Sequence, residues 1–104
     1  MNEWKAYMEE YGKVAWDYFH LHLDYWTQFP PTKRDVVINF VHTFTESVPC
    51  SVCRDDFRTQ CMKHPINFNH LTRWGIMMHD LVNYKLDKPL FATYIIDEGW
   101  VQKK

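Results

Sequence analysis

The feature that most constrains this chain is a long apolar stripe at helical spacing, cut off by a pair of prolines. From Trp4 to Trp26 the large side chains fall at Trp4, Tyr7, Met8, Tyr11, Ala15, Tyr18, Phe19, His22 and Trp26. Steps of three and four put them on one side of a helix, and strand-like alternation is absent. Phe29-Pro30-Pro31 stops the run, because proline has no N–H to donate and its ring clashes with the preceding turn.

The same spacing repeats downstream. Thr32 is placed to cap a second helix whose stripe is Val36, Val37, Phe40, Val41 and Phe44. Pro49 suits the first turn of a third helix, where its missing N–H costs nothing. Cys50, Cys53, Phe57 and Cys61 share one face of that helix, and His64-Pro65 ends it. Asn67 or Asn69 is placed to cap a fourth helix with Leu71, Trp74, Met78, Leu81, Val82 and Leu86 inward. A short fifth piece runs from about Pro89 to Glu98. The expected fold is all-α: an antiparallel four-helix bundle with a short fifth helix, forming one domain over residues 1–104.

Composition narrows the function. Lys and Arg number 12 against 13 Asp and Glu, a net charge of −1. Nucleic acid and anionic membranes reward a basic excess, so neither is an expected partner. No apolar run reaches membrane-spanning length. The start, "MNEWKAYMEEYGK", is charged and amphipathic, so a secretory signal is not expected. With only 3 glycines, a phosphate-cradling glycine loop is absent. Aromatic residues make up 17% of the chain. They serve either a small core packed with large side chains or a flat pocket for a ring-shaped ligand.

The chemistry concentrates in "VPCSVCRDDF", residues 48–57, which hold two of the 3 cysteines. In the first turn of a helix, unpaired N–H groups and the helix dipole favour a negative sulfur. A thiolate is the nucleophile of disulfide exchange, so this placement raises reactivity. The i, i+3 spacing brings both sulfurs to one face, close enough to bridge. Three other readings compete. Zinc needs about four ligands. Here it would have to add Cys61 and His64, or histidines as scattered as His20, His22 and His70. A thioredoxin-like site follows a strand, and none is expected here. A purely structural disulfide across one turn closes too short a loop to contribute much. The site reads as chemical, with a small zinc-binding helical interaction module on Cys50 and Cys53 as the alternative.

Separated motifs then line up in order. Gly12-Lys13-Val14-Ala15-Trp16 is followed by His20, giving G-K-x-x-W-x-x-x-H. After Pro49-Cys50-Ser51-Val52-Cys53 come Leu71-Thr72-Arg73-Trp74, then His79-Asp80-Leu81-Val82-Asn83, Leu86-Asp87-Lys88-Pro89-Leu90-Phe91, and finally Gly99-Trp100. The set closely resembles the Erv/ALR family of flavin-linked sulfhydryl oxidases, over about residues 12–100.

The resemblance implies FAD at one mouth of a helical bundle and oxidation of thiols with oxygen as acceptor, giving hydrogen peroxide. A cofactor held in a bundle needs no Rossmann glycines. By position, Cys50 and Cys53 match the redox disulfide. Cys53 is the sulfur facing the flavin in a charge-transfer contact, and Cys50 the one that exchanges with the incoming thiol. Gly12, Lys13, Trp16, His20, His79, Val82, Asn83, Leu86, Lys88 and Trp100 match cofactor-contacting positions, with Tyr25 a weaker candidate. No metal is implied. Trp74 matches a family tryptophan and is expected mainly to pack.

Departures from the family pattern carry their own expectations. Lys13 stands where arginine is usual and loses the bidentate fork for a phosphate. Asp80 stands where asparagine is usual. A second family disulfide is missing at both partners, Ile76 and Thr93. Cys61 is expected to be a buried free thiol. No tail cysteine pair is present to shuttle electrons, so the substrate is expected to reach Cys50 directly, as a protein dithiol or a thioredoxin-like carrier. The family pairs as homodimers through its first two helices, where Tyr7, Tyr11, Tyr18 and Tyr25 are available. Compactness resembles virus-encoded members, which points to a host cytoplasm. A member trimmed to its core would belong instead to the mitochondrial intermembrane space or the endoplasmic reticulum.

Overall fold

The computed structural model describes residues 2–91, with side chains from residue 9 onward. The described residues form four α-helices and no strand: α1 (Asn2–Gln28), α2 (Asp35–Glu46), α3 (Ser51–Lys63) and α4 (Leu71–Lys85). The expected fifth piece falls almost wholly beyond them, and residues 88–91 are not helical.

α1 and α4 form the main contact of the bundle, and α3 bridges α2 and α4. Phe19, Leu23, Val37, Val41, Phe44, Phe57, Leu71, Trp74, Met77 and Met78 are all buried and make one core. Phe19 sits at its centre, edge-on to Trp16 at 5.2 Å and tilted against Phe44 at 4.5 Å. Four aromatic residues, Phe19, Phe44, Phe57 and Trp74, thus belong to the buried core. Trp74 is buried as expected and donates its indole N–H to the His64 carbonyl, 2.9 Å away.

One glycine is a packing requirement. A Cβ on Gly75 would lie 2.6 Å from Leu23 Cδ1. Leu23 is fully buried and has no room to retreat. Gly75 thus sets how closely α4 approaches α1.

The stripe of α1 proves broader than one face. Leu23 is buried although the stripe left it out, while Tyr18 is 55% exposed. α1 divides its surface: Phe19 and Leu23 face α4, and Tyr18, His22 and Trp26 meet Phe40 of α2. Leu86, expected inward, is exposed, because the chain has already left α4 at that point.

The caps differ from expectation in three places. Thr32 does not cap α2; residues 32–34 form a turn and Arg34 stands at the N-cap with no side-chain bond. Asn67 and Asn69 do not cap α4; His70 does, and Asn67 instead accepts the Asn69 backbone N–H in a local turn. Pro49 lies before the cap of α3, and Cys50 is itself the cap.

α4 ends in a paired backbone lock. Lys88 N–H donates to Asn83 O at 2.7 Å and Asp87 N–H to Tyr84 O at 3.2 Å. Asp87 takes the left-handed conformation, φ 60°. This is the Schellman arrangement, usually built on glycine, with Pro89 following to prevent further helix. It turns the Lys88-Pro89 segment back beside Asn83.

Candidate active site

α3 is capped by Cys50, the first cysteine of the pair. Cys50 has extended backbone angles, and its sulfur accepts the Cys53 N–H at 3.3 Å. A cysteine thus does the capping job of a serine, satisfying a helix N–H that otherwise has no partner. Both sulfurs are free thiols here. The hydrogen bond from the Cys53 side chain, then the Cys53 backbone N–H, hold the Cys50 thiol below its ordinary range. Burial of the Cys53 sulfur, and then Cys50 beside it, push that thiol up to about 11, although the residue as a whole is exposed. In this dithiol the negative charge therefore favours Cys50. Cys61 is free and half-buried, and burial pushes its thiol up to about 11.

The second part of the site lies across the bundle. Trp16 and His79 stack with centroids 4.0 Å apart and planes 10° from parallel. His20 Nε2 lies 2.9 Å from His79 Nδ1. Burial lowers both imidazoles, His79 to about 3. His20 is held up by Asp24, Asp17 and Asp80, while His20 and Lys88 press His79 further down. Two neutral rings share one proton in that bond, one donating and the other accepting. Phe57, one turn beyond Cys53, meets Trp16 at 5.9 Å and joins the two halves.

One turn beyond His79, Asn83 is buried. Its side-chain amide has no hydrogen-bond partner among the described residues. Buried amides are rarely left so, since an unmade bond costs about 1–3 kcal/mol. The donor set is a flat aromatic stack beside an unused buried amide, with Lys88 turned back against it. It fits a planar ring with polar edges, such as the flavin the resemblance implies.

Asp80 is also buried, and it accepts the Phe91 N–H at 2.8 Å. Phe91 in turn lies 4.8 Å from His79. Spacing gave no signal for this bond, which ties the segment after Pro89 to α4.

The structure therefore brings Trp16, His20, His79, Asn83 and Lys88 together. Val82 is half-buried and packs on the core. Lys13 and Leu86 are exposed, and a Cβ on Gly12 would meet nothing within 4 Å. Trp100 lies outside the described residues, as does Thr93. Tyr25 is exposed and lies tilted against Phe29, ring centroids 5.1 Å apart. No group of three metal-ligating side chains lies among the described residues, so the zinc reading gains no support.

Residues 13–101 match the model of the Erv1 / Alr family. The chain belongs to the Erv1/Alr family. Among relatives in this family, it is 30% identical over 96 residues to the FAD-linked sulfhydryl oxidase ERV2 of Saccharomyces cerevisiae, covering 88% of this chain and 49% of that one. It is 27% identical over 89 residues to an FAD-linked sulfhydryl oxidase of African swine fever virus, covering 82% and 75%. It is 28% identical over 92 residues to the mitochondrial FAD-linked sulfhydryl oxidase erv1 of Schizosaccharomyces pombe, covering 83% and 50%. The chain thus spans about half the length of these two yeast Erv1/Alr relatives. No solved structure matches it.

Proposed function

We propose that this chain is a flavin-linked thiol oxidase that forms disulfides in protein substrates. The observation that carries the reading is the pairing of a helix-capping Cys50/Cys53 dithiol with the Trp16–His20–His79–Asn83 cluster, in a family whose relatives are named FAD-linked sulfhydryl oxidases.

In the oxidised enzyme a substrate thiolate attacks Cys50 Sγ. The Cys50–Cys53 bond breaks and its electron pair stays on Cys53 Sγ. A second substrate thiolate attacks the substrate sulfur held by Cys50. The substrate disulfide forms, Cys50 Sγ departs with the other pair, and the substrate protons go to solvent. FAD, when bound, would supply the two-electron acceptor for this dithiol, with oxygen taking that pair and two protons from solvent as hydrogen peroxide.

The chain's own residues prepare the surroundings. Trp16 and His79 offer an aromatic wall, and Asn83 an amide for a ring edge. The neutral His20–His79 pair adds no charge that would repel or trap a thiolate. The mouth of the bundle carrying these residues is the proposed cofactor position, and Gly12, Lys13, Leu86 and Trp100 remain proposed contacts at its rim. The substrate, a protein dithiol or a thioredoxin-like carrier, meets Cys50 directly.

A homodimer through α1 and α2 is part of the proposal. Val14, Tyr18, Leu21 and Tyr25 are each more than half exposed and follow a heptad-like seam along α1. Beside them a groove of about 330 Å³ opens between α1 and α2.

Replacing Cys53 tests the assignment. Cys53→Ser should abolish oxygen-dependent turnover of dithiothreitol while the protein still binds FAD. Turnover at the unmodified rate would end it.

A further inference from the structure

Arg54 follows the second cysteine, and its backbone and its side chain both hold the stretch that carries the first. Its backbone N–H donates to Cys50 O at 2.8 Å, the bond that opens α3. Its guanidinium reaches back to the Val48 carbonyl at 2.7 Å, across the Pro49 that precedes the cap. The side chain therefore closes a clasp over the Val48-Pro49-Cys50 loop. Arginine suits this: a planar fork holds a carbonyl in a set direction, where an ammonium does not.

The charge matters as much as the clasp. Two other cations near this helix are already committed. Arg58 pairs with Glu46 at 2.6 Å and Asp55 at 2.7 Å, and Lys85 from α4 pairs with Asp56 at 2.6 Å. Arg54 makes no ion pair among the described residues, so its charge is not cancelled by a contacting carboxylate. It is half-buried, which limits screening by solvent. The acids around the dithiol are held by those other cations: Glu46 on α2, and Asp55 and Asp56 on α3. The Cys50 thiol is drawn downward first by Cys53, then by the Val52 backbone N–H, and the Arg54 charge adds to them.

We propose that Arg54 is a positioning residue for the exchange step, its guanidinium clasping the loop that carries Cys50 so that this loop, with the cation fixed on it, presents the sulfur that leaves the substrate as a thiolate. The proposal rests on the reading that Cys50 exchanges with substrate. It concerns the moment when the substrate disulfide forms and Cys50 Sγ takes the electron pair, a step that goes faster when the leaving thiol is more acidic.

The test is the pH profile of Cys50 alkylation in the reduced, FAD-bound protein. Iodoacetamide is used at single-hit levels, and fragmentation of the labelled peptide locates the modified sulfur. Arg54→Gln should raise the Cys50 midpoint and slow its labelling at neutral pH about threefold or more. Arg54→Lys should keep most of the charge effect but turn over more slowly than the parent, because the clasp on Val48 is lost. A parent-like midpoint in Arg54→Gln overturns the proposal. Cys50→Ser separates the two levels. If it keeps turnover, the exchange reading itself fails; if it abolishes turnover while Arg54→Gln leaves the midpoint unmoved, only the role of Arg54 falls.

Discussion

His20 Nε2 and His79 Nδ1 meet at 2.9 Å across a separation of 59 residues, and this bond fastens α1 to α4 at the candidate site. Burial depresses both rings, so the folded protein holds them neutral where the unfolded chain would begin to protonate them. Between about pH 6.5 and about pH 3 the unfolded state therefore binds more protons at His79 than the folded state does. Stability from this group is full above the unfolded value and falls as pH drops through that window. Urea unfolding of the parent and of His79→Gln across this range should show the parent losing stability more steeply on acidification. Parallel curves would contradict the neutral pair.

Asp80 makes a second prediction. It is fully buried and holds the Phe91 N–H. Asp80→Ala should cost about 1 kcal/mol, because a part-buried N–H loses its acceptor. Asp80→Asn keeps an acceptor oxygen and should cost less. Urea unfolding checks the order. This hydrogen bond is one of the ties between α4 and the segment that follows it, with Lys88 N–H on Asn83 O and Phe91 against His79.

Gly75→Ala should destabilise the protein although alanine favours helix. The new methyl group collides with buried Leu23, a penalty of about 1–3 kcal/mol for overpacking. It outweighs the roughly 1 kcal/mol that alanine gains in helix propensity. Thermal unfolding decides the sign. A more stable Gly75→Ala would mean that Leu23 can yield.

Cys61→Ser should leave thiol oxidation unchanged, because burial keeps that thiol protonated and the proposed chemistry runs through Cys50 and Cys53. Its stability should fall by about 1 kcal/mol, the cost of placing a hydroxyl in a half-apolar setting. Oxygen uptake and urea unfolding read the two effects separately.

Much of this architecture is legible in the amino-acid order, and the misses share a cause. The four helices follow from apolar spacing and from Pro30, Pro31 and Pro65 as stops. The caps were misplaced because Thr32, Asn67 and Asn69 are good capping residues that tertiary packing left in turns, while Cys50, a less usual cap, took the role at α3. Leu23 was overlooked because α1 buries two faces, one against α4 and one against Phe40, and a single stripe cannot describe both. The contact between His20 and His79 is invisible to spacing, since nothing local joins residues so far apart. Only the resemblance put them on one site. The clasp of Arg54 on Val48 and the grip of Asp80 on Phe91 likewise appear only once the chain is folded.

The central claim is that this bundle oxidises dithiols through Cys50 and Cys53 with a bound flavin. Its most direct test is the visible absorption spectrum of the purified protein, incubated with FAD, then mixed with dithiothreitol under air while oxygen is followed. The account predicts a flavin band that bleaches as oxygen is consumed, and loss of both responses in Cys50→Ser/Cys53→Ser protein that still carries FAD. A colourless protein that takes up no oxygen would contradict it.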